Sequence, residues 1–160
     1  MVSIQMEFKF EIMLKIGDRM PYFEVVDQDD NKFNSGQLLG RKTIIYFYPK
    51  DNTSGCIAQA CNLRDNYERL VAKGYNVIGI SKDSANSHKS FASKYDLPFT
   101  LLSDTSTEVL KAFGAWGEKK MYGKTTMGTL RKTFIFDEDG ILVKIIDKVD
   151  TKDHASQILE

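Results

Sequence analysis

A mixed α/β sheet flanked by helices is the fold class this sequence predicts, and three features predict it. Residues 43–48 (Thr-Ile-Ile-Tyr-Phe-Tyr) and 75–80 (Tyr-Asn-Val-Ile-Gly-Ile) are apolar on both faces, as central strands of a parallel type are. Segments of helical pattern alternate with the strands, which places helices on both faces of a sheet. Late in the chain, Asp137-Glu-Asp-Gly140 separates two apolar runs. That is a hairpin signal, and it makes the sheet mixed.

The elements follow in order. Residues 22–26 are a strand, 27–31 a turn and 32–34 a short return strand. The strand 43–48 ends at Pro49. A helix runs from about residue 55 to 73 and stops at Gly74. After the strand 75–80 comes a helix over 84–94, with Asp83 or Ser84 available as N-cap. Residues 98–102 form a short strand and 105–113 a helix closed by Gly114. The hairpin strands are 129–136 and 141–146, and 153–159 is the last helix. The order is β-β-β-α-β-α-β-α-β-β-α. A thioredoxin-like core fits this order, though order alone does not fix a topology. Residues 1–12 read as an N-terminal extension in which 6–12 alternate like a short strand. Residues 13–160 read as one domain.

Composition narrows the function. Of 160 residues, 42% are hydrophobic and 28% charged, with 22 Lys and Arg against 22 Asp and Glu. These are globular proportions, which exclude a disordered or coiled-coil chain. The balanced charge lacks the basic excess of a nucleic-acid-binding domain. No run is long and apolar enough to span a bilayer. The start has neither a basic leader with an apolar run nor a transit-peptide composition. No targeting segment is therefore expected, and a cytoplasmic location is.

The chemistry is expected at the only two cysteines, Cys56 and Cys61. A buried strand ends at Pro49, a polar loop follows, and Cys56 falls in the first turn of a helix. The unpaired N–H groups of a helix N-terminus attract negative charge and favour a thiolate, the nucleophilic form. They could also hold an anionic or oxygen-rich substrate. Thr53, three residues earlier, offers a hydroxyl to the sulfur or to a bound oxygen. At 100° per residue, Ala60, Leu63, Tyr67 and Val71 share the face of Cys56, which is therefore core-facing. Cys61 points about 140° away, with roughly 8 to 9 Å between the two Cα atoms on an intact helix. A disulfide needs about 4.4 to 6.8 Å, so a bridge requires the first turns to unwind. Two alternatives stand at this point. Free cysteines are often simply packed in cores. A zinc site has two ligands in Cys-x4-Cys, with His88 and His154 far off in sequence.

Pro49-x-x-x-Thr53-x-x-Cys56 resembles the active-site pattern of the peroxiredoxins. The longer run from Tyr48 through Pro49-Lys-Asp-Asn-Thr53 and Gly55-Cys56 to Cys61-Asn-Leu-Arg-Asp65 is similar to one branch, peroxiredoxin Q or bacterioferritin comigratory protein. Residues 16–23, 131–137 and 148–155 resemble that family's opening segment, its Arg-x-Thr-Phe strand and its ending. The resemblance implies a thioredoxin-like fold and reduction of hydrogen peroxide and organic hydroperoxides, with no metal, flavin or haem cofactor. Carried onto this chain, Cys56 is the peroxidatic cysteine, which becomes a sulfenic acid. Thr53 hydrogen-bonds the sulfur and the peroxide. Arg131 is a fixed cation beside the sulfur. Pro49 shields the pocket, and the backbone N–H groups of Gly55 and Cys56 bind peroxide. Cys61 is the resolving cysteine, and the disulfide is reduced by thioredoxin or a similar dithiol donor. The resemblance implies a monomer, with a dimer as the alternative.

The chain departs from the family pattern at Ser54, Ile57 and Gln59, where Pro, Thr and an acidic residue are common. Losing that proline frees φ in the loop. Other residues have structural readings. Arg64 is expected to pair with Asp65 or Glu68 on the helix surface. Trp116 and Tyr122 either line a pocket mouth or pack within their own loop. His88 and His154 are expected at the surface. A redox sensor built on the same cysteines, and an inactive domain of this fold, are the rival functions.

Overall fold

The run predicted at 43–48 lies mid-sheet because each of its faces finds a core. Ile44, Tyr46 and Tyr48 enter one buried cluster, and Ile45 and Phe47 enter the other, the two-residue alternation of a strand. The computed structural model describes residues 14–160, so the strand expected within 6–12 lies outside the described residues. The strands are β1 (Glu24–Asp27), β2 (Lys32–Asn34), β3 (Lys42–Phe47), β4 (Tyr75–Ser81), β5 (Thr100–Ser103), β6 (Trp116–Met121), β7 (Lys124–Thr129), β8 (Lys132–Phe136) and β9 (Leu142–Ile146). The α-helices are α1 (Ser54–Asp65), α2 (Tyr67–Ala72), α3 (Ala85–Lys94), α4 (Glu108–Ala112) and α5 (His154–Leu159), and Ser35–Leu38 is a 3-10 turn.

Seven strands form one sheet in the order β2-β1-β5-β4-β3-β8-β9. Strand β4 runs parallel to β3 and β5. The pairs β1–β2, β1–β5, β3–β8 and β8–β9 are antiparallel. The sheet is mixed, as the late hairpin predicts. Cys56, Ala60, Leu63, Leu70, Phe91 and Ile158 pack on one face. Leu38, Val109, Leu110 and Phe113 pack on the other. Gly79 of β4 lies beside Tyr46 in the register, and a Cβ there would fall 2.9 Å from Tyr46 Cζ. Its bare backbone leaves the Tyr46 ring its room.

Three expectations are corrected. The single helix over 55–73 is two helices, broken at Asn66 (φ −109°, ψ 13°). The Asn66 side chain donates to the carbonyl of Asn62 at 2.9 Å, the local competition that makes Asn a poor interior helix residue. The break resets the phase, so Leu70 faces the core while Val71 is exposed. The segment 116–129 is not a loop packed by its own aromatics but an antiparallel hairpin, β6 with β7. Tyr122 and Gly123 at its tip both have positive φ, 53° and 79°, and Tyr122 is 98% exposed. The predicted strand 129–136 accordingly splits at residues 130 and 131, where Leu130 N–H turns to the Ala115 carbonyl at 2.7 Å.

The third correction concerns the histidines. Both are 0% exposed. His154 opens α5, where its Nδ1 meets Gln157 Oε1 and its Nε2 meets Thr133 Oγ1, each at 2.8 Å. Gln157 Oε1 also accepts from Asp150 N–H, so Nδ1 is the donor and Nε2 accepts the threonine hydroxyl. A neutral ring satisfies both partners. Burial first, and then the Arg131 charge, holds His154 below the usual imidazole range against the opposing pull of Gln157. Such a group takes a proton more readily in the unfolded chain. Its contribution is complete above the usual imidazole range and declines as pH falls through it, by no more than about 1.4 kcal/mol per pH unit. Urea unfolding between about pH 7.5 and 5 should show stability falling with acid in the native chain, and a shallower fall in His154→Gln. Equal slopes would remove His154 from the acid response.

Candidate active site

The site forms where β3 stops. Tyr48 N–H still bonds the Ile80 carbonyl at 3.2 Å, Pro49 ends the ladder, and residues 50–53 lead into α1. Thr53 is the N-cap by backbone position (φ −99°, ψ 153°), but its side chain caps nothing. Its Oγ1 donates to the Lys50 carbonyl at 2.8 Å. The first helical bond is Ile57 N–H to the Thr53 carbonyl at 2.8 Å. The N–H groups of Ser54, Gly55 and Cys56 precede it and have no helical acceptor. The helix therefore presents uncommitted donors around Cys56, as its position in the first turn predicts.

Cys56 is 1% exposed and packs with Tyr46, Tyr48, Ala60 and Leu63. Arg131, between β7 and β8, reaches it from the sheet: Nη2 donates to Cys56 Sγ at 3.4 Å. The pairing of β8 with β3, Phe47 opposite Lys132, carries Arg131 to the end of β3 where α1 begins. Gly55 clears the way, since a Cβ there would stand 3.2 Å from Arg131 Nη2. Pro49 is half-buried and Thr53 exposed. Four expected residues, Thr53, Gly55, Cys56 and Arg131, thus meet at one helix end, and Pro49 stands ahead of them where the strand stops. Thr53 differs in one respect. Its proton is committed to Lys50, so its oxygen is left to accept rather than to donate toward the sulfur.

Cys61 is half-buried on the same helix, both cysteines are free, and α1 is continuous between them. Arg64 pairs with Asp65 at 3.0 Å, as expected, and its Nη1 also donates to the Tyr95 carbonyl at 2.7 Å. Trp116 packs against the far-face core and carries Lys82 Nζ 5.7 Å from its ring centroid.

Two residues take site roles that the sequence reading does not give them, Gln59 standing there only as a departure from the family pattern. Gln59 is fully buried, and its Oε1 accepts from Arg131 Nη1 at 2.7 Å. It fixes the guanidinium without neutralising it, whereas a carboxylate there would share the charge. The available signal was a polar residue three positions after Cys56, on the core-facing stripe. Tyr46 is the second. Burial foremost, and then the neighbouring Cys56, pushes its phenol well above the usual range, so it keeps its proton. Among the described residues neither Tyr46 OH nor Gln59 Nε2 has a hydrogen-bond partner. Both are buried donors that the protein itself leaves unused.

The chain has clear relatives. A sequence profile of the AhpC/TSA family matches residues 16–145. Peroxiredoxin Bcp of Escherichia coli K12 is 43% identical over 146 residues, 91% of this chain and 94% of that one. The solved bacterioferritin comigratory protein of Xanthomonas campestris, studied for its alkyl peroxide reduction, superposes with a TM-score of 0.80 at 31% identity, over 86% of this chain and 87% of that one. Peroxidoxin BcpB of Mycobacterium tuberculosis has a TM-score of 0.80 at 30% identity, covering 91% and 94%. Fold, site and relatives define a thiol peroxidase on a thioredoxin-like scaffold, an oxidoreductase that takes a peroxide and a thiol reductant. The chain belongs to the AhpC/TSA family, in its Bcp or peroxiredoxin Q branch. Among the described residues no helix is long and apolar enough to cross a membrane.

The geometry around Arg131 is directly testable. Arg131→Ala removes the cation hydrogen-bonded to the sulfur, and Cys56 alkylation by iodoacetamide near neutral pH should slow about tenfold or more. Gln59→Leu keeps the volume but strips an acceptor from the guanidinium, costing about 1–3 kcal/mol in urea unfolding. An unchanged alkylation rate in Arg131→Ala would show that the guanidinium does not hold the thiolate.

Proposed function

We propose that Cys56 is the peroxidatic cysteine, that hydrogen peroxide and organic hydroperoxides are its substrates, and that Cys61 resolves the product. The observation that carries this reading is a buried sulfur held between a helix N-terminus and an arginine, with the exposed Thr53 at the N-cap position. The Cys56 thiolate attacks one peroxide oxygen and the O–O bond breaks. The attacked oxygen stays on the sulfur as a sulfenic acid, and the other oxygen departs as hydroxide or alkoxide, which takes a proton from solvent to become water or an alcohol. Negative charge develops on both oxygens as the bond breaks. The first-turn N–H groups of Gly55 and Cys56 and the Arg131 guanidinium face that charge without having to reorganise. Thr53 Oγ1, its proton given to Lys50, accepts the hydrogen of the bound peroxide. Pro49 covers the sulfur from water.

In the second half, the Cys61 thiolate attacks the Cys56 sulfenic sulfur. A disulfide forms and water leaves. Thioredoxin or a similar dithiol then reduces the bridge and is itself oxidised to a disulfide, which closes the balance. On an intact α1 the cysteines are too far apart, so the turns between them open in each cycle. Such opening suits a helix whose N-terminus has no side-chain cap. The reading places the catalysis in a single chain.

Intact mass and peptide mapping after brief exposure to stoichiometric hydrogen peroxide test the whole sequence. The native chain should lose two hydrogens, mapped to a Cys56–Cys61 bridge. Cys61→Ser should stop at a Cys56 sulfenic acid and fail to turn over with thioredoxin, and Cys56→Ser should not react. An unchanged native mass would overturn the assignment of Cys56. Normal thioredoxin-linked turnover in Cys61→Ser would remove Cys61 from it.

A further inference from the structure

Behind the loop that carries Thr53 lies a buried polar cluster that the chemistry above does not use. Its centre is Asp51, only 6% exposed although it sits in a loop. Asp51 Oδ1 accepts from Tyr48 OH at 2.6 Å. Its Oδ2 accepts from Ser87 Oγ at 2.8 Å and faces His88 Nδ1 at 2.7 Å. Its backbone N–H donates to Asp83 Oδ2 at 2.9 Å, an oxygen that also accepts from Ser81 Oγ at 2.7 Å. His88, wholly buried on α3, directs Nε2 to the Leu102 carbonyl at 3.0 Å. A carbonyl only accepts, so Nε2 carries a proton, and a further proton joins Nδ1 to the carboxylate. Asp51, Asp83 and His88 bring ligand atoms within 4.8 Å of one another. The atoms that face each other already hold hydrogen bonds, so the cluster acts as a joint between the loop and α3.

The joint has a second point of attachment. Asn52 takes a left-handed conformation (φ 61°), and its Oδ1 accepts from Tyr95 OH at 3.3 Å and Lys94 Nζ at 3.4 Å. The loop is therefore tied to the first turn of α3 through Asp51 and to its last through Asn52. Immediately before these ties lies the Lys50 carbonyl, which accepts from the Thr53 hydroxyl and belongs to the same peptide unit as the Asp51 N–H held by Asp83. Buried charge is a poor way to gain stability, since apolar packing does as well or better. What a saturated polar joint supplies is direction, because hydrogen bonds fix orientation where apolar contacts tolerate sliding.

We propose that Asp51 and His88 are positioning residues for peroxide reduction: their buried pair locks the loop 49–53 onto α3, so that Thr53 keeps its place over Cys56 while α1 opens and recloses. This rests on the reading of Cys56 and Thr53 as the peroxide site. Neither Asp51 nor His88 touches the reacting atoms. They act through the Lys50 carbonyl and Thr53.

The test compares two reactions of Cys56 in the full chain. Peroxide attack needs the thiolate and an aligned peroxide, whereas iodoacetamide alkylation needs the thiolate and access. In Asp51→Ala the second-order rate with hydrogen peroxide should fall about ten- to a hundredfold, while alkylation stays within about twofold of the native rate on this mechanism. Asp51→Asn should restore most of the lost ratio. Its Oδ1 can still accept from Tyr48, and its Nδ2 can donate to a neutral His88 Nδ1. Should Asp51→Ala fail to fold, His88→Gln breaks the joint from the α3 side and carries the same expectation. A folded variant with an unchanged ratio, or with both rates falling together, overturns the proposal while leaving the peroxide site standing. A native chain whose Cys56 does not react with peroxide overturns both.

Discussion

One contact organises this molecule: the Arg131 guanidinium against the buried sulfur of Cys56. A sulfur sealed in a core has no water to stabilise its anion, so any thiolate chemistry there depends on charge that the protein itself supplies. The supply comes from two directions, the N-terminus of α1 and a side chain from the strand edge. Sheet order makes the second possible. Because β8 pairs with β3, the residue just before β8 arrives beside the helix that follows β3. Gly55 gives the guanidinium passage, and Gln59 holds its other nitrogen with a neutral oxygen. Each of these residues is explained by the need to bring one cation to one sulfur.

The legible parts of the sequence were those governed by local rules. The doubly apolar run at 43–48 can only be a central strand, and Pro49 can only end it. A cysteine shortly after a polar loop and before a long helical stretch falls at a helix start. What stayed hidden depended on neighbours distant in sequence. The hairpin 116–129 has Trp, Gly, Lys and Thr but no run of alternating apolar residues, and its pairing is with itself rather than with a core. His88 and His154 are residues that usually lie at surfaces. Their burial follows from partners 37 and 21 positions away, Asp51 and Thr133. Asn66 broke the helix through a side-chain bond that composition does not reveal. Gln59 was visible only as a departure from the family pattern, and its role needed Arg131, 72 residues on.

The proposed cycle needs a site rigid on one side and yielding on the other, and the bonding is divided in that way. The loop before α1 is tied into α3 by a saturated network with no apolar slack. Helix α1 is twelve residues long, near the length at which a helix in water is marginal without tertiary packing. It lacks a side-chain cap at its start, and Asn66 interrupts it at its end. Besides the Gln59 bond to Arg131, its outward side-chain bonds lie just beyond the second cysteine. Asn62 donates to the Lys152 carbonyl at 3.1 Å and accepts Ala155 N–H at 2.8 Å, and Arg64 bonds the Tyr95 carbonyl.

That distribution bears on where a disulfide-forming motion would run. Between Cys56 and Cys61 the helix is held outward by the packing of Ala60 and Ile57 and by Gln59. The bonds of Asn62 sit immediately after Cys61, and Asn62 supplies the side-chain acceptor for α5 that its own N-cap residue, Asp153, does not. Opening that spreads past Cys61 would strip the start of α5 of that acceptor, whereas opening confined to residues 56–61 would spare it. The cheaper route is the confined one, in which Cys56 leaves its pocket and moves toward Cys61. In that route the Arg131 contact is the electrostatic bond given up, and a sulfur that has become a neutral sulfenic acid is held by it less strongly than a thiolate. On the proposed cycle, oxidation would itself loosen the grip that keeps the helix closed, and reduction would restore the charge that draws it back.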